Sequence, residues 1–217
     1  MARVLRLAAG DPVQLFDGRG MVYDAVIAQC ARGAVSVQVQ DGRREDRESP
    51  LQVTLAQAVS SGERMDYTVQ KAVELGAVAI QPLLSERCVV RLSGERAEKR
   101  QAHWQGVVIA ACEQCGRNHL PQVQPLLPLA TWLEHPAAAD DLRLLLIPGA
   151  SVRLRQLPRP RAGVTLLAGP EGGLTAAEAA AAARAGFVPL ALGPRILRTE
   201  TAAVAALAAL QATWGDL

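Results

Sequence analysis

At 217 residues, half of them hydrophobic, the chain can bury a sizeable core as one large domain or two modest ones. Lys and Arg total 23 against 21 Asp and Glu, a net charge of +2, so composition alone does not announce a nucleic-acid binder, and any basic surface must come from local clustering. No uncharged apolar run reaches 18 residues, "MARVLRLAAGDP" lacks a signal-peptide core, and four scattered cysteines make no disulfide framework, so the chain reads as soluble and cytoplasmic.

In chain order, residues 1 to about 40 are β-rich. "DPVQLFDGRGMVYDAVIAQC" holds two strand-like runs joined by Asp17-Gly18-Arg19-Gly20, a hairpin turn, and "GAVSVQVQ" alternates as a third strand. The charged segment "DGRREDRESP", residues 41–50, reads as a linker, which sets a small domain over 1–48 and a large one over 49–217. "ERMDYTVQKAVELG" then places Met65, Val69, Ala72, Val73 and Leu75 on one helix face, with Gly76 as its stop. "AVAIQPLL" is a buried strand and "GERAEKRQAHWQGVVIAACEQCG" a long helix.

"LRLLLIPG", "GVTLLAGP" and "FVPLALGP" are short apolar runs bounded by Pro and Gly. Between the last two lies "LTAAEAAAAARAGF", a helix with Thr175 and Glu178 spaced as a capping box and Gly186 at its end. The final segment, Thr199 to Trp214, is apolar nearly all round and must be covered by the domain or by a second subunit. Alternating strands and helices predict an α/β fold with a parallel sheet.

Two glycine loops carry the functional signal, "AGPEGGL" and "LGPRILRTETA". Each follows a short apolar strand and precedes a helix, and ligands of parallel sheets bind at the carboxyl ends of the strands. Pro170 and Pro194 restrict these loops while the glycines allow close approach to a ligand. Neither loop is G-x-G-x-x-G or G-x-x-x-x-G-K-[ST], so dinucleotide and nucleoside triphosphate are not indicated. The plainer alternative is that the glycines only shape tight turns. From mechanics alone the ligand has no name.

These loops, with "ERMDYTVQKAVELG", "PLLSERCVVRL", "ACEQCGRN" and "VLRL…GDPVQLFDGRG", resemble the bacterial 16S rRNA (uracil-N3)-methyltransferase family of the SPOUT superfamily over almost the whole chain. Family members carry a further stretch before "RVLRL", so the resemblance implies either a start called late or a small domain trimmed at its N-terminus. The resemblance implies a deep trefoil knot in the large domain, a PUA-like RNA-holding barrel in the small one, and a homodimer. It implies S-adenosylmethionine as methyl donor, and 3-methyluridine in 16S rRNA of the small ribosomal subunit as product. The near-neutral charge fits a substrate met on an assembled or partly assembled subunit. Carried over as cofactor residues are Ile147, Pro148, Gly169, Pro170, Glu171, Gly172, Leu192, Gly193, Ile196, Leu197 and Arg198.

The chemistry agrees. Backbone groups of apolar loops can read the edge of uncharged adenine, and a carboxylate, Glu171 or Glu200, suits the sulfonium cation. Uridine N3 must lose its proton before it attacks the methyl, so the site needs alignment, and either a base or a cation that favours the uridine anion near its carbonyl oxygens. Arg198 is assigned the cationic role and Glu200 is the candidate base; the alternative for Arg198 is a structural ion pair with Glu200 or Glu171. Thr199 and Thr201 are read as caps of the last helix.

Candidate phosphate contacts are Arg3, Arg6 and Arg19 in the small domain and Arg87, Arg91, Arg117, Arg153 and Arg155 in the large one, with Arg159 and Arg161 in the same acid-free run. Cys112-x-x-Cys115 lacks the second pair that a zinc site needs, so no metal is expected, although His103 and His119 could complete four ligands. Trp104, Trp132 and Trp214 are read as core or interface anchors. Two rivals remain: an RNA-binding or ribosome-assembly factor without catalysis, and a knotted methyltransferase acting on another RNA.

Overall fold

The computed structural model describes residues 7–31, 34–136 and 139–217. The chain divides into two compact units. The smaller takes the residues up to Glu48 together with Gly116–Leu120; the larger takes Ser49–Cys115 and Pro121–Leu217.

In the small unit β1 (Pro12–Phe16), β2 (Met21–Ala31) and β3 (Ala34–Arg44) form an antiparallel sheet in that order. Val22, Ala25 and Ile27 of β2 are buried. The register slips twice along the β2–β3 ladder. Strand β3 runs through the first part of the charged segment read as a linker. Its residues Asp41 to Arg44 pair across to β2, and Arg43 meets Asp24 at 2.5 Å. The alternation of Val35, Val37 and Val39 stops at Gln40, and the rest of the strand is polar and exposed, so its end cannot be read from the pattern.

The large unit is a seven-stranded sheet with every pairing parallel. Its strands are β4 (Gln52–Ala58), β5 (Ala77–Leu84), β6 (Gln122–Val123), β7 (Leu127–Pro128), β8 (Leu142–Leu146), β9 (Gly163–Ala168) and β10 (Val188–Leu190). Their order is β10-β8-β9-β4-β5-β6, with β7 also paired to β5. The helices are α1 (Arg64–Glu74), α2 (Gly94–Cys115), α3 (Leu129–Leu133), α4 (Ala176–Arg184) and α5 (Thr199–Trp214).

The register explains the apolar runs. Leu144, Leu166, Leu55 and Ile80 lie side by side across four strands, and all are fully buried. The next row, Leu145, Leu167 and Ala56, faces the opposite side and packs with Leu83, Leu129, Ala182 and Phe187. Both faces are covered, so the strands read as continuous hydrophobic runs rather than alternating ones. On α1 the buried residues are Met65, Thr68, Val69, Ala72 and Val73; Leu75, expected on that face, instead caps the helix. Helix α1 packs against α2 and α5, and α5 also touches β4 and β9.

Trp104 is buried and donates to Asp66 Oδ1 at 3.1 Å, while Trp132 packs on Phe187. The four cysteines are free thiols. Among the described residues no helix is long and apolar enough to cross a membrane, and no group of three or more His, Cys, Asp and Glu stands placed to hold a metal.

Candidate active site

Strands β8, β9 and β10 are neighbours and parallel, so their carboxyl ends open on one side of the sheet. Three segments leave there: Ile147-Pro148 after β8, residues 169–173 after β9, and residues 191–198 after β10. Together they line a hollow of about 700 Å³ within the large unit. That volume suits a small organic cofactor. All eleven residues expected to hold the cofactor line it, as does Glu200.

The first loop turns tightly. Gly173 N–H donates to the Pro170 carbonyl at 2.9 Å with Gly173 at φ +67°, a left-handed value that favours glycine. Helix α4 starts at once, because Thr175 Oγ1 accepts the Glu178 N–H at 3.2 Å and Glu178 Oε2 accepts the Thr175 N–H at 2.8 Å. Gly193 shapes the second loop, at φ +112°. Beyond it Ile196 is 85% exposed, an apolar side chain on the rim of the hollow.

The two acids differ sharply. Glu171 Oε1 accepts the Ser61 N–H at 2.8 Å, the Ser61 hydroxyl at 2.7 Å and Arg64 at 2.9 Å. Burial raises its pKa, but these hydrogen bonds outweigh burial and hold the carboxyl down at about 2. Glu171 is thus ionised and already engaged by its neighbours. Glu200 is more enclosed; its Oε1 stands 4.0 Å from Arg64 Nε, and its Oε2 is buried with no hydrogen-bond partner.

Arg198 is exposed and makes no side-chain hydrogen bond or ion pair among the described residues. Neither Glu171 nor Glu200 pairs with it among the described residues; Arg64 instead stands 2.9 Å from Glu171 and 4.0 Å from Glu200. Arg64 is a site residue that sequence reasoning does not reach. It begins α1, far from the glycine loops in sequence, and no local signal marks it as part of the hollow. Thr199 does not cap α5; its hydroxyl donates to the Gly169 carbonyl at 2.6 Å and ties the two loops together.

The arginines divide. Arg3 and Arg6 lie outside the described residues. Arg19, Arg87, Arg91 and Arg155 are exposed, and Arg153 is half-buried. Arg87 donates to the Gly172 carbonyl at 3.0 Å and Arg91 to the Glu86 carbonyl at 3.0 Å. Arg159 donates to the Trp214 carbonyl at 3.1 Å. Arg117, expected among the phosphate contacts of the large domain, belongs instead to the small unit, is buried, and is held by both oxygens of Glu48. A guanidinium paired in this way is not presented to a phosphate.

A family model for an RNA methyltransferase domain matches residues 47–211. Ribosomal RNA small subunit methyltransferase E of Buchnera aphidicola subsp. Schizaphis graminum is 34% identical over 215 residues, 99% of this chain and 87% of that protein. The protein of the same name from Synechocystis sp. is 38% identical over 219 residues, 98% of this chain and 69% of that one. The crystal structure of ribosomal RNA small subunit methyltransferase E from Neisseria gonorrhoeae, bound to S-adenosyl methionine, matches with a TM-score of 0.92 and 42% identity, covering 100% of this chain and 89% of that chain. With this parallel sheet, these loops and relatives matched over nearly all of this chain, the chain belongs to the RNA methyltransferase domain family and, within it, to the ribosomal RNA small subunit methyltransferase E proteins.

Proposed function

We propose that the hollow holds S-adenosylmethionine and that the enzyme places its methyl group on N3 of one uridine in 16S rRNA, giving 3-methyluridine. The observation that carries this reading is the meeting of two distant glycine loops and the unpartnered Glu200 Oε2 in one hollow. The residues present fit the cofactor: apolar Ile147, Leu192 and Leu197 can face adenine, while backbone groups of both loops read its edge. Bound S-adenosylmethionine supplies an electrophilic methyl on a sulfonium.

The chain's own side chains supply the rest. Glu200 Oε2 accepts the N3 proton, being an ionisable acceptor with no competing partner. Arg198 faces the negative charge that deprotonation spreads over the uracil carbonyl oxygens. Glu171 serves neither step; with Ser61 and Arg64 it fixes the first loop.

The small unit and the exposed Arg19, Arg87, Arg91 and Arg155 hold the RNA backbone in the cytoplasm. Helix α5 supports a homodimer: Ala205, Ala208 and Ala209 on its outer side remain only half-buried, and a second copy would cover them. The knot is supported by the connection from β8 to β9, where Val152 bridges to Leu190 and Arg159 reaches the end of α5.

Mass mapping of 16S rRNA from a deletion strain tests this. One methyl should vanish from a single uridine base, return with the wild-type gene, and stay absent with Arg198→Ala. Survival of every uridine mark would overturn the reading.

A further inference from the structure

Gln57 is fully buried at the carboxyl end of β4 and does not line the hollow. Its amide nitrogen nevertheless reaches three acceptors: the Ala58 carbonyl at 2.9 Å, the Gly169 carbonyl at 3.2 Å and the Thr199 hydroxyl at 3.1 Å. The Thr199 hydroxyl in turn donates its own proton to the Gly169 carbonyl. A primary amide has two N–H groups, so three acceptors compete for them, and the two carbonyls require nitrogen at this end.

Turning the amide over would aim its oxygen at two carbonyls. Gln57 Oε1 is in consequence buried without a hydrogen-bond partner. A central strand packed on both faces would ordinarily carry Leu or Val here and leave no acceptor unmade. The feature that accounts for the polar side chain is the triangle itself. It joins Gly169, which opens the first loop, to Thr199, which stands between Arg198 and Glu200, across 30 positions of sequence.

We infer that Gln57 is a positioning residue: through Gly169 and Thr199 it sets the separation of the two ligand loops, and so where Arg198 and Glu200 stand against the cofactor. This rests on the reading of the hollow as the S-adenosylmethionine site. Gln57→Met keeps the length of the side chain and removes both donors. Thr199→Val removes the hydroxyl, and Thr199→Ser restores it.

Titration calorimetry with S-adenosylmethionine on the 217-residue chain, alongside thermal unfolding of each variant, tests the inference. Gln57→Met and Thr199→Val should each weaken binding about tenfold, the effect of one buried hydrogen bond. The double variant should bind hardly worse than either single one, because both break the same triangle. Thr199→Ser should bind like the wild type. A purely structural role would lower the unfolding temperature and leave the affinity of the folded protein unchanged, and that result would overturn the inference. If Gln57→Met does not fold, Thr199→Val decides, and unchanged affinity there overturns it equally. Failure of the wild-type protein to bind would instead overturn the reading of the hollow, and this inference with it.

Discussion

Glu171 shows how a carboxylate can sit in the wall of a site without being free to act there. Its pKa drops from an ordinary 4.5 to about 2: burial raises it, and the hydrogen bonds from Ser61 and Arg64 more than reverse that. A carboxyl depressed in the fold stabilises it fully above the unfolded pKa and loses that contribution as pH falls toward the folded value. Wild-type protein should therefore exceed Glu171→Gln in stability by a constant margin above about pH 5, and the margin should shrink between about pH 4.5 and 2. Urea midpoints of both proteins across that range measure it; a margin that does not change would mean the Ser61 and Arg64 contacts are not made in solution. The glycines around Glu171 are legible from sequence because the turn chemistry is local. Its partners are not, since Ser61 and Arg64 arrive from another strand's end.

At the scale of elements, α4 shows a local rule holding inside the fold. Thr175 and Glu178 form the capping box that their spacing predicts, and Glu178 Oε1 also accepts the Glu86 N–H at 2.7 Å. Thr175→Ala should cost about 1 kcal/mol of stability, read from the urea midpoint. A change within experimental scatter would show that the helix start is held by packing alone. The opposite case is β4. "QVTLAQA" has no clean alternation and does not announce itself as a strand, yet it sits between β5 and β9 in the sheet. Val53, Leu55 and Ala56 are all fully buried on its two faces, so the period-two signal vanishes. The short β6, β7 and α3 escape a reading of the sequence for a related reason. β6 and β7 have two residues each and α3 has five, little more than one helical turn, so neither period can show in them.

For the whole molecule, the arginines separate into those that hold the fold and those that face outward. Replacing Arg117 with Ala should destabilise the protein by about 3 kcal/mol, because Glu48 would keep a partly buried charge with its main partner gone. Replacing exposed Arg155 with Ala should leave stability nearly unchanged. It should instead reduce the slope of log affinity for RNA against log salt by about 1, since one phosphate would no longer be neutralised by the protein. Filter binding over a salt series and denaturant unfolding of both variants check this pair. Equal slopes for Arg155→Ala and wild type would remove that residue from the RNA-facing surface.

Local sequence specifies which segments are helix or strand where the pattern is long, where α4 starts, and that two glycine loops follow apolar strands. Those features depend on neighbours a few residues apart, which the chain spells out directly. The tertiary structure alone decided that the loops share one hollow, that Arg64 stands between Glu171 and Glu200, and that Gln57 ties Gly169 to Thr199. Each of these joins residues from elements far apart in sequence, and the order and register of the strands that carry them follow from packing both sheet faces at once. No local stretch of sequence encodes that condition.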